Sequence, residues 1–508
     1  MSAESLPRAG PQLVAGRPSL SADRLIQWAI AAATALLVLL PLLPIVYQAF
    51  LAEPLYEPVR ELTLSNFARV LGSGEFWDTL ATTAAFAILT TVGATVIGTA
   101  LAILLVRTDL PGRGIFGALV VIPFYVSPLV LAFAWAILYG PSGYVSIGAR
   151  AMLGLPEWQL YSLGGIALVS TVYYVPYTYL YSTASLALSD PQLEDAARLA
   201  GAGPLAALRA VTVPLLRPAL LYSVLLTLVS CLELLSIPLV LGSPNGVQVL
   251  ASYLYKLGII GARSDYGGIA AVAFVMLLLI TALVWLQVRL TGQERRFVTV
   301  GGKATRGRML RLGWPRWPLS ALVGLYLLFG TLLPLLGIVL QSAVSFLSPL
   351  VDPFELLTWD NYATIFAAGG YAQSVWNSIL ISVVGAAIGV LFIALCALVV
   401  YRSDFPGRGL LTYLALYPRA VPGIIVGIGF LWAFLLIPGV GGLRNTLVAL
   451  TIAFIMRFIP LGFGAIGPSI LRVSTELDRA ARVAGASWIG TVGSVLLPLL
   501  RPALLSAY

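Results

Sequence analysis

Histidine is absent from this chain of 508 residues, and cysteine occurs only twice, at Cys231 and Cys396. The first absence excludes imidazole acid–base chemistry and removes the commonest metal ligand. Both cysteines lie inside apolar runs, a poor setting for a structural disulfide or a thiolate metal site. Charge is scarce too: 10% of the residues are Asp, Glu, Lys or Arg, against about 25% in an average soluble domain. No phosphate-binding G-x-x-x-x-G-K-[ST] loop is present. Gly301-Gly302-Lys303 lacks the earlier glycine, the following Ser or Thr and a preceding strand. Nor is there a G-x-S-x-G elbow or an H-E-x-x-H pair. The chain is therefore expected to hold no catalytic residue and no metal, and to leave any ATP hydrolysis to another subunit.

What the chain has in quantity is apolar sequence. It is 59% hydrophobic, with a mean hydropathy of +0.95. About 20 apolar residues cross the ~30 Å core of a bilayer as a helix. Spans are expected near 25–51, 78–106, 115–138, 164–187, 216–241 and 268–290, then near 318–343, 375–401, 410–437 and 446–470. The net charge of +9 gathers in short loops, which the positive-inside rule places in the cytoplasm and which argues against a nucleic-acid partner. Residues 1–24, with Arg8, Arg17 and Arg24, read as a cytoplasmic tail. Residues 291–317, with Arg295, Arg296, Lys303, Arg306, Arg308, Arg311 and Arg316, read as a basic cytoplasmic linker. The acidic stretches around Glu53–Glu75 and Asp352–Asp360 are expected outside.

One segment occurs twice. Gln192 to Pro218 aligns without a gap with Glu476 to Pro502 (485 − 201 = 284). Leu193, Ala196, Ala197 and Ala200, and likewise Leu477, Ala480, Ala481 and Ala484, follow i, i+3, i+4, i+7 spacing, a narrow apolar helical stripe. Glu194–Arg198 and Asp478–Arg482 are i,i+4 pairs expected on the outward face. Asp190-Pro191 reads as a helix start, and Gly201 and Gly485 as left-handed helix stops. The repeat extends further. Thr63-Leu-Ser-Asn66 matches Thr358-Trp-Asp-Asn361, and Asp109-Leu-Pro-Gly-Arg-Gly114 matches Asp404-Phe-Pro-Gly-Arg-Gly409 (404 − 109 = 295). The fold expected from this is an all-α polytopic membrane protein of two parallel repeats, the first over 25–290 and the second over 318–508. Set against the first repeat, the second stops short of most of an eleventh span and all of a twelfth, as a fragment or a shortened gene product would.

The pattern Asp195-Ala196-Ala197, Gly201, Val211, Val213, Pro214 resembles the cytoplasmic EAA loop of permease subunits from bacterial binding-protein-dependent ABC importers. The second copy keeps Ala480, Ala481, Gly485 and Pro498 but has Arg479 where the acid is expected, beside Asp478. The resemblance implies two permease domains of the type I importer fold, with EAA-like loops over 189–218 and 473–502. It also implies coupling through Glu194, Asp195, Ala196, Ala197, Gly201 and Pro214 in the first loop, and Asp478, Arg479, Ala480, Ala481, Gly485 and Pro498 in the second. Implied partners are two copies of a cytoplasmic ATPase, which would bind ATP and Mg, and an external solute-binding protein. The implied location is the bacterial inner membrane, with the N-terminus in the cytoplasm, and no cofactor is expected in this chain. The fused two-half plan and Leu232-Glu-Leu-Leu-Ser-Ile-Pro-Leu-Val-Leu-Gly242 resemble the ferric-iron branch, whose relatives handle 2-aminoethylphosphonate, thiamine or polyamines. The rival class is a secondary transporter driven by an ion gradient.

Ionisable residues at membrane depth are costly and stand out as functional candidates. Glu233, Arg419 and Arg457 are such residues, either pairing structurally or lining the substrate path. Tyr173, Tyr174, Tyr177, Tyr179 and Tyr181 could in principle ligate ferric iron, but aromatics in helix contacts and at interfaces are the commoner reading. Prolines 123, 128, 176, 418 and 422 are expected to kink their spans.

Overall fold

The computed structural model describes residues 22–58, 60–154, 156, 158–188, 196, 197, 199–260, 265–291, 309–347 and 351–508. Most of the expected tail and linker lie outside these residues. Among the described residues the chain is helical, with three isolated β-bridges and no longer strand. In order the helices are α1 (Ala22–Leu39), α2 (Leu42–Ala49), α3 (Ser65–Leu71), α4 (Gly74–Arg107), α5 (Arg113–Tyr125), α6 (Pro128–Tyr139), α7 (Tyr144–Leu153) and α8 (Leu163–Leu188). Then come α9 (Leu208–Glu233), α10 (Ser236–Leu241), α11 (Leu250–Tyr255), α12 (Tyr266–Thr291), α13 (Arg316–Ser342), α14 (Asp360–Ala367) and α15 (Gly369–Arg402). The last are α16 (Arg408–Leu416), α17 (Gly423–Leu436), α18 (Leu447–Arg472), α19 (Thr475–Val483) and α20 (Trp488–Ala507).

Nine of the described helices are long and apolar enough to cross a membrane, or ten counting one bent pair as a span. The tyrosines of α8 keep it out of that set despite its 26 residues. Their exposed faces carry Leu, Val, Ile and Phe, as lipid contact requires.

Four expected spans are broken, three of them directly at a proline. The span near 115–138 divides into α5 and α6 at Val126-Ser127, where Pro128 follows and the Ser127 hydroxyl accepts from the Leu129 N–H at 3.3 Å. The span near 410–437 divides before Pro422. A residue preceding proline is pushed out of the α region by the ring, which explains both breaks. Pro41 likewise separates α1 from α2. The span near 216–241 stops at Glu233, with Leu234 extended before α10.

The chain packs as two compact units that are discontinuous in sequence: Met1–Leu40, Leu380–Arg419 and Thr446–Tyr508 form one, and Pro41–Ile379 with Ala420–Asn445 the other. In the first, α1, the second half of α15, α16, α18 and α20 surround Ile393, Ala397, Ile459, Phe463 and Leu496. Gly462 lets α18 lie against Ile393, and the Thr34 hydroxyl on α1 meets the Cys396 sulfur at 3.8 Å. In the second, α4 and α8 pack along their length because Gly93 faces Thr171 and Gly98 faces Thr178. α13 joins this bundle, with Gly337 against Leu138 and the Tyr139 hydroxyl donating to the Phe329 carbonyl at 2.6 Å. α2 packs on α12 and α17. Thus the first helix of each sequence half packs on helices of the other half.

The repeat is visible in local bonds. Asn66 donates to the carbonyls of Ala49 and Leu51, and Asn361 to those of Ser342 and Val344. Thr63 and Thr358 each accept from the N–H two residues on, at 3.0 and 3.1 Å. Both matched quartets therefore tie the chain leaving a first span to the short helix that follows it.

Candidate functional site: two matched helix–turn loops

The two loops share one backbone design. Gly201 has φ +91° and Gly485 φ +90°, the left-handed C′ geometry that glycine adopts without a Cβ penalty. The next residue closes the turn in both copies: Ala202 N–H donates to Ala197 O and Ala486 N–H to Ala481 O, each at 3.0 Å. A π-helical turn follows at Leu208–Thr212 and again at Val492–Leu496. Pro214 and Pro498 sit immediately beyond these turns. A proline inside a helix has no N–H to give and crowds the carbonyl four residues back, and a widened turn relieves that conflict.

Ser474 starts the second loop, its hydroxyl accepting from Glu476 N–H at 3.3 Å. Helix α19 is strongly two-faced yet has no buried residue. Its apolar stripe is uncovered, with Leu477 43% exposed and Ala480 and Ala484 also open, and Val483 beside the stripe is 89% exposed. The first-loop counterpart of Val483 is Leu199 (483 − 199 = 284), 90% exposed. These two aliphatic tips fall outside the stripe read from sequence. Their signal is an aliphatic side chain repeated at matched positions in a polar segment.

Glu194 and Asp195 lie outside the described residues, as do Asp190, Pro191, Leu193 and Arg198. In the second loop the expected outward Asp478–Arg482 pair does not form. Asp478 turns inward, 13% exposed, and meets Arg402 Nη1 at 3.1 Å. Arg402, at the end of α15, is 4% exposed and also donates to the carbonyls of Ile470 and Val473. Burial explains the choice, because a guanidinium removed from water needs a carboxylate and carbonyls around it. Arg479 points to solvent and pairs with Glu476 at 3.1 Å, both side chains 75% exposed. The indole N–H of Trp488 donates to Arg402 O at 3.0 Å, and the Asp23 carboxylate on α1 accepts from Trp488 N–H at 2.8 Å and Ile489 N–H at 3.4 Å. Sequence reading missed Arg402 and Asp23. Arg107, which occupies the place of Arg402 in the first repeat (402 − 107 = 295), was the available clue, and it donates to Leu186 O at 3.3 Å.

The intramembrane candidates fall in both units. Glu233 ends α9 at the break, half-buried in the second unit. Nearby Tyr174 donates to Ser230 O at 2.9 Å, and its ring meets those of Tyr173 and Tyr177 with centroids 5.0 and 5.6 Å apart. Arg419 lies in the 3-10 turn after α16 and Arg457 on α18, both half-buried in the first unit. Both cysteines are buried and free. Among the described residues no three His, Cys, Asp or Glu side chains cluster as metal ligands would.

Comparison with known proteins bears on what these loops belong to. Residues 94–296 match the family model of the binding-protein-dependent transport system inner membrane component. The ferric transport system permease protein FbpB of Actinobacillus pleuropneumoniae is 28% identical over 448 residues, 86% of this chain and 63% of that protein. A putative ferric transport system permease protein of Haemophilus influenzae is 29% identical over 76% of this chain and 60% of its own length. The trehalose/maltose transport system permease protein MalF of Thermococcus litoralis is 30% identical over 46% of this chain and 80% of that protein. The chain thus spans about three fifths of the length of the ferric permeases it matches. With its helical spans and its two matched loops, the chain belongs to the family of binding-protein-dependent transport system inner membrane components, the multi-pass permeases of ABC importers.

Proposed function

We propose that this chain forms the translocation pathway of an ATP-driven importer, with ferric iron as cargo, and is not itself an enzyme. The observation that carries this reading is the repetition of one solvent-facing knob, with its left-handed glycine, its π turn and its exposed tip at Leu199 or Val483. Each knob would dock in a groove of one copy of a cytoplasmic ATPase, which binds ATP and Mg. Closure of the ATPase pair would move the two loops, and the spans attached to them would open the path alternately. A solute-binding protein would load the external face. The names of the two ferric relatives support the choice of cargo. The chain would lie in a bacterial inner membrane with its N-terminus in the cytoplasm, its repeats acting as two permease domains joined by the basic linker. Glu233, with Tyr173 and Tyr177 beside Tyr174, is the group we place along the path.

The test is uptake of radioactive ferric iron into proteoliposomes holding the chain, a co-expressed ABC ATPase and a ferric-iron-binding solute-binding protein. Uptake requiring ATP and the binding protein is expected, and Leu199→Asp with Val483→Asp should abolish ATPase co-purification. Uptake driven by an ion gradient without ATP would place the chain among secondary transporters instead.

A further inference from the structure

The second loop is held at two points, and the first cannot be held in the same way. On one limb, Asp478 of α19 is tied to Arg402, the last residue of α15, whose guanidinium also gathers the carbonyls of Ile470 and Val473 at the end of α18. On the other limb, Asp23 of α1 accepts the N–H groups of Trp488 and Ile489, the first residues of α20. These N–H groups have no partner within their own helix, and the positive end of α20 favours an anion there. Trp488 links the limbs, since its indole donates to the Arg402 carbonyl and its side chain is 6% exposed. In the first loop the position of Trp488 is held by Pro204 (488 − 204 = 284), which has no N–H to offer a carboxylate.

We infer that Asp23 and Arg402 are positioning residues that fasten the second loop to α1 and α15, so that a push on that loop is delivered to those helices. This rests on the proposed ATP-driven import. The solvent-facing residues of the loop, Arg479, Ala480 and Val483, are exposed, and Arg479 pairs with Glu476 rather than with a fastening residue, which leaves this face open to the ATPase. Docking and fastening are therefore separable. Fastening at both limbs makes the loop a lever; loosening one limb lets it turn without moving its helices. In the first repeat, Arg107 donates to Leu186 O.

The purified full chain tests the fastening without any partner. In Asp23→Ala, amide exchange at Trp488 and Ile489 should speed up at least tenfold, while exchange in α18 stays as in the parent. Unchanged exchange at those two amides would overturn the clamp. In proteoliposomes with the ATPase and binding protein, Asp23→Ala and Arg402→Gln should keep ATPase co-purification but lower ferric uptake per ATP hydrolysed about tenfold. Asp23→Asn, which retains one acceptor oxygen, should recover most of the ratio. A ratio equal to the parent in Asp23→Ala, with exchange accelerated, would overturn transmission through α1. Absence of ATP-driven uptake by the parent chain would instead overturn the import reading, and the transmission inference with it, leaving the exchange result to judge the clamp alone.

Discussion

At the scale of single residues, backbone geometry and burial sort positions that look alike in the sequence. Gly485 and Gly427 are both glycines beside apolar helix, yet Gly485 has φ +90° and Gly427 is helical with nothing within 4 Å of a built Cβ. Gly485→Ala should cost about 1 kcal/mol locally and fray the end of α19, seen as faster exchange at Ala486, whereas Gly427→Ala should leave exchange unchanged. Gly98 is constrained by space: a Cβ there would lie 2.8 Å from Thr178 Cβ and 2.9 Å from Val175 O. Gly98→Ala should destabilise the α4–α8 pair by about 1–3 kcal/mol, lowering the unfolding midpoint in detergent. Asp478 is the residue whose position most changes its meaning. Its sequence neighbour Arg479 suggests a substitute acid for docking, but its carboxylate is occupied by Arg402, which leaves Glu476, Arg479 and Arg482 as the exposed charges of α19.

At the scale of elements, the turn after each first span carries a repeated bond set, and its two copies differ in burial. Asn66 is 2% exposed, whereas Asn361 is exposed. Losing both bonds of a buried amide costs about 1–3 kcal/mol, with less where water can replace them. Asn66→Ala should therefore lower thermal stability clearly more than Asn361→Ala, read from the two midpoints in the same detergent. The prolines teach a related lesson. Pro214 and Pro498 are each absorbed by the π turn before them, whereas Pro128 and Pro422 end one helix and begin another. A sequence window sees a proline in an apolar run in each case. Which response occurs depends on whether the preceding turn can widen or the chain can leave the helix with its polar groups satisfied, as the Ser127 hydroxyl does for Leu129.

At the scale of the whole molecule, the division by repeat and the division by packing are different things. The first helix of each half packs with helices of the other half, α1 on α16 and α15, and α13 on α6. Membrane sidedness is open to direct measurement because both native cysteines are buried. Cysteines introduced at Leu199 and Val483 should react with a membrane-impermeant maleimide only in inverted vesicles, and one introduced at Glu57 only in right-side-out cells. Labelling of Leu199→Cys and Val483→Cys from opposite sides would refute parallel repeats and any shared ATPase.

Apolar run length and motif recurrence were enough to read an all-helical membrane chain, its two matched halves and the glycine stops of both loops, because these depend on local periodicity and on backbone preferences of single residues. A disturbance at Pro128 and Pro422 was readable in the spans near 115–138 and 410–437; that the helix ends there instead of kinking was not, since kink and break differ only in how neighbours satisfy a freed carbonyl. Nor was the fastening of the second loop: Asp23, Arg402 and Trp488 come from three distant stretches, and a charge near a span end looks the same whether it faces water or a partner. Sequence determined which surfaces are apolar and where the chain must turn. Tertiary structure alone decided which carboxylate is buried against which cation, because that choice is set by desolvation among groups brought together only after folding.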